Sequence, residues 1–103
     1  MIYITKDVNE TLDYVFIRNV DDNIVNVSYV TDGLGGLTIQ SCTINSNVVS
    51  DNDGNTYAAG RAIILWATGG NVGTKEKVTI TYTTAGGRIR DESVIFTLVQ
   101  DSY

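Results

Sequence analysis

A chain of 103 residues with 43% hydrophobic and 18% charged side chains makes one folded domain, too short for two and too apolar for disorder. The formal net charge of -5 repels phosphate backbones and anionic lipid, and no apolar run approaches the roughly 20 residues of a membrane span, so nucleic acid and membrane are poor partners. With no His and a single Cys, the chain excludes an internal disulfide framework and a zinc site built on His or Cys.

Val, Ile and Thr outnumber Ala, Leu, Met and Glu by 36 to 14, and β-branched side chains suit a pleated surface, so the composition predicts an all-β protein. The opening Met1-Ile2-Tyr3-Ile4-Thr5-Lys6-Asp7 lacks the basic start, apolar stretch and cleavage site of a secretory signal, and the expected place of synthesis is the cytoplasm. Ile2, Tyr3 and Ile4 make this end apolar and suggest that residues 1–10 are a docking arm against another subunit. An extra edge strand of the same domain is the alternative. Leu12 to Ile17 reads as the first core strand, with Leu12, Tyr14 and Phe16 on one face. After a polar turn at Asp21-Asp22-Asn23, Val25, Val27 and Tyr29 alternate with Asn26 and Ser28, a half-buried pattern. Asp32 to Gly36 interrupts it. Leu37 to Ile44 resumes a strand whose inward face is ambiguous, because apolar residues occur in both phases.

Residues 45–57 predict two short edge strands joined at Asp53-Gly54. Ala62 to Ala67, the most apolar run, predicts a central strand covered on both faces with Trp66 anchoring the core. Gly69 to Gly73 ends it. Lys75 to Thr84 alternates most clearly, placing Val78, Ile80 and Tyr82 inward, and Ala85-Gly86-Gly87 turns the chain into a return strand over Arg88 to Gln100. About seven antiparallel strands with turns at such spacing predict a two-sheet β-sandwich, with a small β-barrel as the runner-up.

Candidate chemistry is sparse. Asp51-Asn52-Asp53-Gly54-Asn55 offers hard oxygen ligands, but Gly54 is fourth and Ala62 twelfth where a helix-loop-helix calcium site needs Gly sixth and Glu twelfth, so a hairpin turn is the better reading. Gly69-Gly70-Asn71-Val72-Gly73-Thr74-Lys75 resembles a phosphate-cradling loop, yet a strand follows where a helix is required. Asp91 and Glu92, being adjacent on a strand, point to opposite faces and cannot share a substrate. Cys42 has no His to act as its base and reads as a structural thiol. No catalytic, metal or cofactor site is expected. Tyr14, Tyr82 and Trp66 fall on predicted core faces, which leaves Tyr3, Tyr57 and Tyr103, with Ile2 and Ile4, as candidate partner-binding residues.

Lys6-Asp7, Glu10, Leu12-Asp13-Tyr14, Asp22-Asn23-Ile24-Val25 and Gly36-Leu37-Thr38-Ile39 resemble, in order, the opening half of a family of bacteriophage fibre-tail adaptors. Trp66, Gly69-Gly70, Gly73-Thr74, Val78-Thr79, Thr83 to Arg88 and Ser93 are similar to its most characteristic stretch. The chain departs from it at Val8, where Pro is common, at Arg18 and Tyr29, where Trp is frequent, and at Glu76, where Tyr is frequent. The resemblance implies an immunoglobulin-like sandwich residing in the virion and joining tail or neck components to fibres without catalysis. The partners it implies are portal, neck, tail or fibre subunits, met by several copies in a symmetric ring. The competing expectation from the residues is a carbohydrate-binding or capsid-decoration module with contacts through surface Tyr.

Overall fold

The computed structural model describes residues 2–17, 22–50 and 54–100, with no helix among them. Nine strands follow one another: β1 Ile2–Asp7, β2 Thr11–Ile17, β3 Ile24–Thr31, β4 Leu37–Ile44, β5 Val49–Ser50, β6 Thr56–Tyr57, β7 Ala62–Gly69, β8 Lys75–Thr84 and β9 Ile89–Val99. They form a four-stranded sheet ordered β1-β9-β8-β3, a three-stranded sheet ordered β2-β7-β4, and the small hairpin β5-β6. Neither large sheet closes into a barrel. The two face each other as a sandwich, so the barrel reading falls away.

Alternation decides what lies between the layers. From the four-stranded sheet, Val78, Ile80, Tyr82, Val94, Phe96 and Leu98 point inward. Ile63, Leu65 and Ala67 of β7 meet them from the other side, and all nine are buried. Tyr14 on β2 sets its ring edge-on to Phe96, with centroids 5.2 Å apart and planes at 69°, an arrangement favoured by the aromatic quadrupole.

Three expectations change. Trp66 is 40% exposed and does not anchor the core. With Ile63, Leu65 and Ala67 turned inward, the two-residue period of the strand carries Ile64, Trp66 and Thr68 to the outer face. β7 is nevertheless the central strand of its sheet. On β3, Tyr29 pairs with Ile80 and shares its inward side, yet it is 41% exposed. The strand is the margin of the wider sheet and overhangs the three-stranded layer. Val25 sits at a shift in register between Ile24 and Asn26 and is also exposed. The strands are not all antiparallel either: β1 runs parallel to β9, with Ile4 opposite Phe96 and Lys6 opposite Leu98. β1 is an edge strand of the wider sheet, and Ile2 and Ile4 pack against the core.

The ambiguity of β4 has a physical origin. Its pairing with β7 shifts between Ile39 and Ser41, so Gln40 is an extra residue and the phase reverses there. Leu37 and Ile39 before the bulge, and Cys42 and Ile44 after it, all face the core.

Loops tie the sandwich at both ends. At one, Gly70 adopts φ +112 and leans on Leu98, while Gly35 lies over Leu98 and Glu76. Asn71 N–H donates to Gly35 O at 2.8 Å and Gly73 N–H to Leu98 O at 2.9 Å. At the other end Asn45 is the hub: its Nδ2 donates to Asn47 O and Ala58 O, each at 2.9 Å, and its Oδ1 accepts Ala62 N–H at 3.0 Å. The β5-β6 hairpin is attached through these bonds. There too the β8-β9 turn is held, by Ala85 N–H on Asn23 O at 2.8 Å and Gly86 N–H on Asp22 Oδ2 at 3.2 Å.

Gly70→Ala tests the first of these closures. An added Cβ would stand 2.8 Å from Leu98 Cδ1 in a backbone conformation that L-residues avoid. A loss of about 2 kcal/mol is expected in urea unfolding, from positive-φ strain and overpacking together.

Candidate functional site

Two ionisable side chains, Lys6 and Glu76, are buried and engaged by the fold. Lys6, on the inward phase of β1, is completely buried, and its Nζ donates to the carbonyls of Asp7 at 2.8 Å and Gly69 at 3.0 Å. Desolvation lowers its pKa, against the opposing pull of the Glu10 and Asp7 charges. Glu76, on the inward phase of β8, is 1% exposed, and its Oε1 accepts Gly35 N–H at 2.9 Å and Leu37 N–H at 3.2 Å. This carboxyl group fixes the β3-β4 loop to the sheet below. Its Oε2 is buried with no hydrogen-bond partner.

The Gly69–Lys75 segment is a tight turn between strands. Thr74 N–H and Oγ1–H both donate to Asn71 O, at 3.2 and 2.6 Å, and the remaining amides named above go to protein carbonyls, so they do not converge on an anion. Asp91 accepts from Thr81 Oγ1 at 2.7 Å on the outer face, while Glu92 pairs with Ile80 and takes the opposite phase, so the two carboxylates are separated as strand geometry requires. Burial pushes the Cys42 thiol up to about 11, so it is protonated at neutral pH and a poor nucleophile. Residues 51–53, which carry the calcium reading, lie outside the described residues. Among the described residues no group of acidic or Cys side chains could hold a metal ion.

The candidate contact residues are dispersed. Ile2 and Ile4 face the core from β1, whereas Tyr3 between them points outward and is 74% exposed. Tyr57 is half-buried on β6, in a different sheet. Tyr103 lies outside the described residues. The structure therefore gathers Ile2, Tyr3 and Ile4 on one edge strand and keeps Tyr57 apart from them.

Register assembles two outer faces that single strands do not reveal. On the four-stranded sheet, Tyr3 lies beside Ile95 and Ile95 beside Lys77. The next row is Thr5, Thr97 and Lys75, and Val30 lies beside Thr79 on the far strand. On the three-stranded sheet, Trp66 lies between Asp13 and Ser41, Thr68 between Thr11 and Thr38, and Ile64 beside Thr43. Thr11 and Thr68 share a hydroxyl hydrogen bond of 2.8 Å. Trp66 was missed from sequence because its strand is apolar in both phases. The hydroxyl-bearing and acidic neighbours that mark its face as an exterior come from β2 and β4.

The molecule is thus a two-sheet module with aromatic side chains on both exteriors and with Lys6 and Glu76 buried and bonded to the backbone. Residues 6–97 match the model of the family described as podophage GP4 fiber-tail adaptor protein gp77, and the chain belongs to that family. It is thus a bacteriophage fibre-tail adaptor, a structural protein of the virion whose partners are other virion proteins such as those of tail and fibre. No curated protein matches the chain. Among solved structures, the one titled "Solution Structure of Amebosin" is similar at a TM-score of 0.51 and 16% identity, covering 93% of this chain and 87% of that one. At that identity the likeness concerns the fold alone.

Two measurements check the buried groups. Glu76→Ala strips two buried amides of their acceptor and is expected to cost about 2 kcal/mol or more in urea unfolding, with Glu76→Gln, which keeps an acceptor oxygen, costing less than half of that. In alkali the unfolded chain loses the Cys42 proton near pH 9.0 while the folded chain keeps it to about 11, so stability falls with rising pH across that window. Tyr14, raised to about 12 by burial and then by the Glu10 and Asp13 charges, extends the fall. Lys6, with its lowered pKa, acts in the opposite sense as pH climbs toward 10.5. In a pH series of unfolding curves Cys42→Ala should flatten the decline between 9 and 11, and an unchanged slope would show that another group causes it.

Proposed function

We propose that this adaptor is a non-enzymatic ring component that joins tail or neck proteins to fibres, with several copies arranged around the particle axis. The observation that carries the reading is the family match over residues 6–97. Support comes from the strand orders β2-β7-β4 and β9-β8-β3. These reproduce the B-E-D and G-F-C orders of immunoglobulin-type sandwiches, with β1 added alongside β9 and the β5-β6 hairpin inserted between the fourth and fifth long strands. An immunoglobulin-like module offers broad sheet faces and loops at each end, and assembly requires buried area rather than convergent titratable groups.

The amino-terminal strand is part of this proposal. Tyr3 reaches outward from a strand that the core already holds through Ile2, Ile4 and Lys6, so it presents an aromatic ring at little cost in lost freedom. Tyr57 and Tyr103 stand as further contacts in the same reading. The place of synthesis is the host cytoplasm, and the destination is the neck or tail of the particle.

Images of purified particles carrying a tagged chain test the role: repeated density between portal or tail and the fibre bases is expected, and density spread over the capsid shell would refute it. Tyr3→Ala tests the strand. This exposed substitution is expected to leave thermal unfolding within about 0.5 kcal/mol of the unaltered protein and to lower the amount of chain in particles. Full incorporation would remove Tyr3 from the interface.

A further inference from the structure

We propose that β1 is exchanged between copies: the strand Ile2–Asp7 of one chain leaves its own sheet and fills the place beside β9 in a second copy of this chain, with residues 8–10 as the hinge. The inference rests on the multi-copy part of the adaptor reading and adds what each copy gives to its neighbour.

Three observations carry it. Among the described residues β1 has one strand beside it, β9, and stands at the edge of its sheet, so it can leave without parting any other pair. It joins the rest of the described chain only through residues 8–10, which cross from the four-stranded sheet to β2 in the three-stranded one. The third observation is what holds it in place. Ile2 and Ile4 are half-buried against the core, and the ladder runs from Ile2 opposite Val94 to Asp7 opposite Val99. Lys6 Nζ reaches Gly69 O at 3.0 Å, and Val8 N–H donates to Val99 O at 2.9 Å. Each of these contacts joins residues 2–8 to the body of the molecule, so the same segment of a second copy remakes them all.

The cost of leaving falls on the hinge. Asn9 N–H donates to Asp7 Oδ1 at 2.9 Å and Glu10 N–H to Asp7 O at 3.1 Å, which closes the turn. The bond to Asp7 Oδ1 is exposed, and water replaces it at small net cost when the hinge straightens. Release is eased further by Lys6, whose ammonium is desolvated while the strand is docked and regains its hydration when the strand is out.

Concentration then decides which copy supplies the strand. With the contacts equal, a short hinge gives a chain's own strand an effective concentration on the order of millimolar, so dilute copies keep their own. Copies fixed side by side on a particle meet at a comparable local concentration, and there a neighbour's strand competes on equal terms. A ring suits the exchange, since each copy gives one strand and receives one, and no place beside β9 stays empty.

A disulfide reports whose strand is where. Thr5 and Thr97 are directly opposite on the outer side of the sheet, a spacing that a disulfide can bridge. In a Thr5→Cys/Thr97→Cys variant that also carries Cys42→Ala, oxidation closes the bond within one chain when the strand is at home and between chains when it is exchanged. Non-reducing gels separate the two, and mass spectrometry of the linked peptides identifies the bond between positions 5 and 97. Dilute free chain is expected to close internally, with the interchain fraction rising about tenfold or more as the concentration approaches about 1 mM. Particles assembled with the variant are expected to carry the bond between copies. Particles in which every such bond is internal overturn the proposal, and so do interchain bands that Thr5→Cys alone forms equally well. Where the variant does not enter particles the concentration series decides, and an interchain fraction that stays flat overturns the exchange. Internal bonds in particles that hold the chain would defeat the exchange and leave the adaptor role intact, whereas exchange by a chain that unaltered particles lack would do the reverse.

Discussion

The inward set of Ile63, Leu65 and Ala67 is the constraint from which both core and exterior follow. These side chains fill the space opposite Val78, Ile80, Val94, Phe96 and Leu98, and all of them are buried. A strand has no third direction, so holding the odd-numbered residues of β7 in the core obliges Ile64, Trp66 and Thr68 to face out. A large aromatic ring on the outside of the middle strand is therefore a consequence of how the core beneath it packs. The same logic acts on β1, where Ile2, Ile4 and Lys6 face inward and Tyr3 is carried out.

Burial of Lys6 and Glu76 is offset in part by their partners, with Glu76 Oε2 left without one. Each caps backbone groups at the end of the sandwich where chain segments cross from one sheet to the other: Lys6 takes the carbonyls of Asp7 and Gly69, and Glu76 the amides of Gly35 and Leu37. Loop backbone brought so close to Leu98 cannot reach water for all its polar groups, and a long polar side chain rising from the sheet below supplies what the solvent would have supplied. The glycines at 35 and 70 complete the closure, since a Cβ at either would fall within 2.9 Å of Leu98 carbons. Glu76 puts a hydrogen-bond acceptor under this loop and so acts as a structural device at the rim of the core.

Much of this was legible in the residues alone. β-branched composition and turn spacing gave an all-β sandwich, and the alternation of Lys75 to Thr84 assigned Val78, Ile80 and Tyr82 correctly because that strand has polar residues in one phase only. Glu76 stands in the same phase as those three, and Lys6 in the phase of Ile2 and Ile4, so their burial was written in the pattern, though charge argued against reading it. What escaped had a physical reason in each case. A bulge at Gln40 reverses the phase of β4, and bulges leave little trace in a single strand. Trp66 escaped because both phases of β7 are apolar, and the distinction between them is made by Asp13, Ser41 and Thr38 on other strands. Tyr29 keeps its predicted side but not its burial, because a four-stranded layer over a three-stranded one leaves a margin uncovered. The candidate contacts suffered most, since exposure at an interface is a property of sheet faces, and a face exists only once register is set.

The acidic balance of the chain has a bearing on how assembly is controlled. At a formal charge of -5, copies repel one another out to about a Debye length, which helps to keep a structural protein dispersed at modest concentration. Attraction through exposed apolar surface, such as the Trp66 indole and the Tyr3 ring, operates only near contact, as these groups shed water. A short-range attraction inside a longer-range repulsion favours growth where copies are already held in place, as on a tail or neck that fixes the first of them. The tied loops at both ends of the sandwich suit that task, because a module with rigid ends presents its faces at a constant angle, and constant angle is what lets successive copies meet around an axis.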